Sequence, residues 1–334
     1  MDYKNKQAVW LTWHHASRSR NLADYFNLPI FELHLDQNAL IRHGGSTLWT
    51  IWVLFRKRPQ IIFLQLSFLL LLVASIYKLL CFNKVVIIAD CHTKALRRKA
   101  KGFWNVLFWP LKKWSFQKVN VSIVHNQGMK TDIEELHDNY FILPDKIPEY
   151  RYKINKNKQE RGTYCVYVSS FARDEPRNEI FKVAEILSSE AINIYWTGKV
   201  PASLAGADND YPNLKFTGYM DFQQYVDLLG NADCILALTS EEDCLQSGAY
   251  EALNVNTPMV LSDTEALKSY FNGAALYTTH KPADIAENIK NAIHSKESLL
   301  DRLKKVKKNK RMEFEQLTNK LSEVIQDEID KTFS

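Results

Sequence analysis

NADCILALTSEEDCLQSGAYEALNVNTPMVLSD, Asn231 to Asp263, reads as strand, acidic loop, helix and strand in succession. The apolar run Cys234 to Leu238 has strand length, Thr239 to Ser247 is polar and acidic, and good helix formers begin near Gly248. The loop therefore lies at the carboxyl end of a parallel strand, where open α/β sheets bind ligands. Seven residues separate Asp243 from Glu251, so one carboxylate stands on the loop and the other about a turn inside the helix. Either the two serve one ligand, or they are ordinary solvated acids.

Outward from this stretch the same rhythm fills the chain. Strand patterns fall at Ala8–Trp13, Pro29–Leu35, Gln60–Leu66, Lys84–Asp90, Val119–His125 and Tyr140–Leu143, with helical segments between them. After the break at Pro144, Pro148 and Asn155–Gly162 come Tyr164–Ser169, Ile192–Thr197, Leu214–Thr217, Asp233–Leu238, Met259–Ser262 and Ala274–Tyr277. Helix starts are expected near Glu175, Asp221, Gly248, Thr264 and Pro282, and a long charged helix from about Lys296 to Lys331. Alternation of this kind predicts an α/β chain of two Rossmann-like, doubly wound parallel sheets. The expected division is 1–145, a linker over 146–162, a second domain over 163–315, and a closing helix over 316–334 that returns towards the first. The apolar run Ile61–Phe82 has the length of a bilayer span, but Gln65, Ser67, Ser75 and Lys78 interrupt it. Strand followed by buried helix keeps the alternation and is the preferred reading.

Charge divides the chain. Residues 1–150 carry 20 basic and 11 acidic residues, a net of +9, against +5 for the whole chain, so the remainder is −4. From Cys91 to Thr131 there is no acid, and cations from Lys94 to Lys118 alternate with Phe103, Trp104, Phe108, Trp109, Trp114 and Phe116. This region, 94–118, suits an anionic membrane surface, or is a solvated basic face over a core helix. No nucleic-acid fold signature accompanies it, so nucleic acid is not an expected partner. Five dispersed cysteines, none in C-x-x-C spacing, point to a reducing, cytoplasmic setting without disulfides or a zinc site. The amino terminus lacks the pattern of a secretory signal.

Asp243, Glu251 and Ala252, followed by Asn256-Thr257-Pro258-Met259-Val260, resemble the E-x7-E signature and G-x-P-V-V tail of retaining family 4 glycosyltransferases, with Asp in place of the first Glu. The resemblance runs over nearly the whole length and implies the GT-B fold, two such domains facing across a cleft. It implies that Asp243 lies by the donor sugar and that Glu251 hydrogen-bonds the nucleotide ribose. Ser247 and Gly248, at the helix start, would approach the diphosphate. It further implies diphosphate contacts from Arg173 in VSSFARDEPR, or Arg177 beside it, and from Lys199 after the turn glycine Gly198 in IYWTGKVP. Without the resemblance Arg173 is equally a partner for Asp174 or Glu175, and Gly198 a simple turn residue. His92, after the strand ending at Asp90, takes the place of a donor-sugar histidine; alone, it would be a turn or core residue. His14, His15 and Arg18 in the first strand-to-helix loop, with His125 after a later strand, are assigned to the acceptor side.

No G-x-x-x-x-G-K-[ST], G-x-G-x-x-G or G-x-S-x-G occurs, and no histidine spacing forms a metal-ligand pattern. The resemblance thus implies a retaining, metal-independent transferase without a cofactor. It would move sugar from a nucleoside diphosphate donor, mannose being one candidate, to a lipid-linked or membrane-associated glycan in polysaccharide assembly. Its place would be the cytoplasmic face of the membrane. The alternatives are a nucleotide-sugar epimerase of the same fold, a nucleotide-binding scaffold that has lost catalysis, and a membrane-surface module.

Overall fold

The computed structural model describes residues 7–35, 38–96, 108–150, 153–155 and 161–334. The chain divides into two compact units, Met1–Lys146 with Phe314–Ser334, and Ile147–Glu313.

In the first unit, strands β1 (Ala8–Thr12), β2 (Ile30–Glu32), β3 (Ile61–Gln65), β4 (Val86–Asp90), β5 (Val121–Val124) and β6 (Tyr140–Ile142) form one parallel sheet in the order β2-β1-β3-β4-β5-β6. The central strands are apolar almost throughout because both faces are covered. Helices α1 (Ser17–Tyr25), α2 (Ala39–Lys57), α3 (Phe68–Leu80), α4 (Thr93–Leu96), α5 (Trp109–Phe116) and α6 (Lys130–Glu134) connect them. Asn38 caps α2 by accepting from the Ile41 amide at 3.0 Å, and left-handed Arg58 ends it. One face of the sheet packs under α2, α3 and α5 through Val53, Leu54, Leu70, Leu71, Ala74 and Phe116.

The other face takes α1 and the end of the long helix α12 (Lys296–Phe333). Phe314, Leu321, Ile325 and Ile329 recur at helical spacing and are buried against this face, whose Trp10 and Phe63 rings stack at 5.4 Å. The run Ile61–Phe82 resolves into β3 and α3. At 13 residues α3 is about 20 Å long, short of a bilayer core. No helix among the described residues is long and apolar enough to cross a membrane.

In the second unit, β7 (Thr163–Tyr167), β8 (Ile192–Thr197), β9 (Leu214–Gly218), β10 (Cys234–Ala237), β11 (Met259–Ser262) and β12 (Ala275–Thr278) build a parallel sheet in the order β12-β11-β10-β7-β8-β9. Its helices are α7 (Arg177–Leu187), α8 (Phe222–Asn231), α9 (Ser247–Val255), α10 (Glu265–Phe271) and α11 (Pro282–His294). Asp221 caps α8 and Thr264 caps α10, which explains why those residues mark helix starts in the sequence. Strand order reverses between β1 and β3 in the first unit and between β7 and β10 in the second, so each sheet opens a crevice at its strands' carboxyl ends.

Of the region 94–118, residues 97–107 lie outside the described residues, as do 151–152 and 156–160 of the linker. What is described of α5 fits a helix whose inner aromatics belong to the core, while Phe108, Leu111 and Lys113 stay exposed. Trp109 and Phe116 are core residues, and buried Lys112 donates to the Ala95 and Leu96 carbonyls at 2.6 and 3.0 Å. Burial of a long cation is possible here because those carbonyls, with the Trp109 ring at 4.8 Å, replace water around it.

Candidate functional site

At the switch point of the second unit lies a cavity of about 470 Å³. Ser169 and Ser170 after β7, Gly198 and Lys199 after β8, Tyr219 and Met220 after β9, and Gln246, Ser247 and Glu251 from α9 and its approach line it. Its floor is backbone brought unusually close. A Cβ on Gly198 would stand 2.3 Å from the Ser169 carbonyl oxygen, and Gly198 has φ +109°, so only glycine fits this turn. A Cβ on Gly248 would meet Val168 at 2.9 Å and Ala237 at 3.1 Å, so glycine lets the start of α9 sit down onto β7 and β10. The first amides of α9 are thereby held at the cavity, where a helix start favours an anion.

Glu251 lines the cavity from the second turn of α9 and accepts a hydrogen bond from the Tyr225 hydroxyl at 2.5 Å. Burial pushes its carboxyl up to about 7, with that hydrogen bond pulling the other way. No cation pairs with it among the described residues. Burial and the nearby Glu251 charge push the Tyr150 and Tyr225 hydroxyls well above their ordinary range. Lys199 is exposed at the rim, and no salt bridge among the described residues involves it.

The loop VSSFARDEP is folded around Glu175, which the sequence offers as a helix start and an Arg173 partner and not as the centre of the loop. Its buried carboxylate accepts from the Ser169 hydroxyl at 2.6 Å and from the Ser170 amide and hydroxyl and the Ala172 amide, each at 3.0 Å. The recognisable signal was a serine pair followed, within one loop, by an acid set against a proline. Arg173 is exposed on this loop and does not line the cavity, and Arg177 Nε donates to the Ala172 carbonyl at 3.4 Å. Asp243 sits in the turn between β10 and α9, partly buried and likewise outside the cavity lining. The structure thus gathers Gly198, Lys199, Ser247 and Glu251 around one space, Gly248 beneath it, and leaves Arg173 and Asp243 outside.

The first unit carries a second polar cluster at its strand ends. Arg18 is buried and donates through Nε to both Asp90 carboxylate oxygens at 2.9 and 3.1 Å, through Nη1 to Asp145 at 2.5 Å, and through Nη2 to the Leu143 carbonyl at 2.9 Å. The two carboxylates raise its already high pKa against the cost of burial. Thr12 donates to the Gln65 carbonyl oxygen at 2.5 Å, and the Gln65 amide nitrogen lies 2.8 Å from His92 Nε2. His92 and His125 rings meet edge to face at 4.7 Å. His125 Nε2 is buried with no hydrogen-bond partner among the described residues, and burial, with Arg18 and His92 nearby, holds the ring neutral, well below its usual pKa.

Asp90, His92 and His125 bring one ligand atom each within 4.8 Å, a set capable of holding a metal ion that spacing alone did not reveal. The Asp90 carboxylate already receives the Arg18 guanidinium, so a cation there would share its ligand with a fixed positive charge. His14 is exposed beside this cluster's first strand, and exposed His15 lies 2.8 Å from Glu32, which also binds Arg20.

Solved structures with this architecture are known. HepE of Anabaena, in complex with UDP and glucose, matches with a TM-score of 0.70 at 11% identity, over 95% of this chain and 91% of that one. A Listeria monocytogenes protein assigned as a UDP-N-acetylglucosamine 2-epimerase matches at 0.58 and 12% identity, over 89% and 82%. TarM of S. aureus, in complex with UDP, matches at 0.62 and 14%, over 84% of this chain and 59% of its own. The fold is GT-B, built of two Rossmann-like units. No family profile and no curated protein sequence matches the chain.

Proposed function

We propose that the protein is a glycosyltransferase that moves a sugar from a nucleoside diphosphate donor to a lipid-linked or membrane-associated glycan. The observation that carries this reading is the cavity of the second unit. One space holds a carboxyl poised near neutrality, a lysine in no salt bridge among the described residues and a helix start set down by Gly248.

Each part has a task. Glu251 accepts from the ribose hydroxyls, a contact that favours its ionised form. Lys199 and the first amides of α9 meet the diphosphate. When the anomeric C–O bond breaks, the leaving diphosphate gains charge against donors already in place, without reorganisation. These groups take the part of a metal ion, so the reaction runs without one. Asp243, three residues before Gln246 of the cavity lining, and His92 approach the sugar, and Arg173 meets the phosphates. His14, His15 and His125 serve the acceptor side, with Arg18 positioning Asp90 and the strand ends around them. Retention of anomeric configuration rests on the E-x7-E likeness. UDP in the HepE and TarM structures supports a uridine donor, ahead of the guanosine donor that mannose would bring. Polysaccharide or glycolipid assembly at the cytoplasmic face of the membrane is the setting this chemistry fits.

The Listeria likeness favours one second reading, an epimerase acting on the same donor. Incubation with UDP- and GDP-sugars, with and without a lipid-linked glycan extract, separates the two by NMR of the sugar. Diphosphate release that requires acceptor and yields a retained linkage supports transfer. Free nucleotide or an inverted sugar carbon without acceptor supports the epimerase. Donor binding with no turnover under either condition supports the scaffold and overturns both.

A further inference from the structure

Helix α2 is apolar on two sides, with Val53 and Leu54 buried against the sheet and a second set of apolar residues facing outward. Its inward side includes Ser46 and Thr50, both buried, with Thr50 accepting from the Trp13 indole at 2.9 Å. Its outward side presents Leu48, Trp52 and Phe55, which are 70%, 60% and 57% exposed. Spacings of four and three put these three side chains in one stripe. The stripe continues onto α3, since the Phe55 and Tyr77 rings touch edge to face at 5.9 Å and Ile76 and Leu80 are exposed beyond. Scattered apolar residues on a surface need no explanation, but a contiguous aromatic and aliphatic stripe marks a binding face.

Charge identifies the occupant. Residues 37–89, which contain α2 and α3 entire, hold six basic residues and no acidic one. Arg56, Lys57 and Arg58 at the end of α2, and Lys84 after α3, are exposed. A second copy of the chain in two-fold contact would bring these cations against themselves. An anionic bilayer accepts both components, rings and aliphatic groups at headgroup depth and cations at the negative surface.

We propose that the outward face of α2 and α3 is the surface by which this protein docks onto an anionic membrane. The inference rests on the reading of a membrane-associated acceptor only for its purpose; the face itself is read from exposure and charge. It places docking on 41–84; of the region 94–118, Trp109, Lys112 and Phe116 are buried, Phe108, Leu111 and Lys113 are exposed, and 97–107 lie outside the described residues.

The test is co-sedimentation of the full chain with phosphatidylcholine vesicles, with and without about 30% phosphatidylglycerol, beside the triple variant Leu48→Ser, Trp52→Ser, Phe55→Ser. These side chains are exposed, and an unchanged melting temperature confirms that the variant folds. Binding to the anionic vesicles that falls at least about tenfold in the variant, and falls with salt, is the expected result. Wild-type protein left in the supernatant, or a variant that sediments equally well, overturns the proposal. So does a wild-type dimer in ultracentrifugation that the variant abolishes, because a second copy then covers the face. Nucleotide-sugar calorimetry on the same preparation keeps the two readings apart. Donor binding without vesicle binding overturns docking alone, and vesicle binding without donor binding overturns the donor site alone.

Discussion

The polar clusters at the two switch points are built in opposite ways. In the first unit the charges satisfy one another: Arg18 is bound by two carboxylates and a carbonyl, and Gln65 bridges Thr12 and His92. In the second unit the closeness comes from backbone, through Gly198 and Gly248, while Glu251 and Lys199 meet no opposite charge among the described residues. The closed network around Arg18 holds strand ends in register, and what binding capacity the first unit keeps lies with His92 and His125 beside it. An open arrangement stores that capacity for a ligand, at some cost to the empty protein.

If that contrast is right, the largest stability effect comes from the first unit. Arg18→Ala leaves Asp90 and a partner carboxylate without their cation and is expected to lose about 3–5 kcal/mol in urea unfolding. A loss below about 1 kcal/mol would show that the network is not closed and would undo the comparison. Gly198→Ala comes next, at about 2–3 kcal/mol, because the turn must open by moving the Ser169 carbonyl. The same change is expected to abolish donor binding, and unaltered calorimetry would show that the close approach has no part in the site.

Lys199→Ala inverts the pattern. Stability is expected to stay within about 0.5 kcal/mol while affinity for the nucleoside diphosphate falls about 10- to 100-fold. Equal affinities would place the diphosphate elsewhere. A chelator is expected to leave wild-type affinity unchanged; loss of binding with chelator would transfer the role to a metal ion.

The smallest effect is on pH dependence. Burial lifts the Glu251 carboxyl from 4.5 to about 7, so the unfolded chain gives up this proton first as pH rises. The stability gained from burying the neutral acid is therefore complete below about 4.5 and is lost as pH climbs through about 7. Glu251→Gln keeps the neutral shape. Its unfolding curve is expected to lie above wild type by about 1–2 kcal/mol near pH 8 and to converge with it towards pH 4. Parallel curves across that range would mean that the carboxyl titrates normally.

The same contrast explains what the sequence could show. The parts of the second site stand close together in the chain, a glycine ending a strand, an acid one turn into a helix and a lysine beside its turn, and the family resemblance singled them out, though Arg173 and Asp243, equally local, lie outside the cavity. Strand positions were equally plain, since runs such as VVIIA and IIFLQ lie in parallel sheets covered on both faces. The first site was not legible as a network, because Arg18 meets residues 72 and 127 positions away, and nothing near Arg18 in the chain announces either. Lys112 and Trp109 left two readings open for a related reason. Their alternation with other cations and rings suggests a surface, whereas tertiary packing of α5 beneath its neighbours buries both. The outward stripe of α2 escaped notice because apolar residues at helical spacing are normally core, and only exposure shows which way the helix is turned.

The central claim is that the cavity beside Glu251 receives the nucleoside diphosphate sugar. Titration calorimetry of wild type and Glu251→Ala against UDP- and GDP-sugars tests it most directly. The account predicts saturable binding of one nucleotide class by the wild type, with proton release near neutral pH, and its loss in the variant. Failure of every donor to bind, or binding that Glu251→Ala leaves intact, would contradict it.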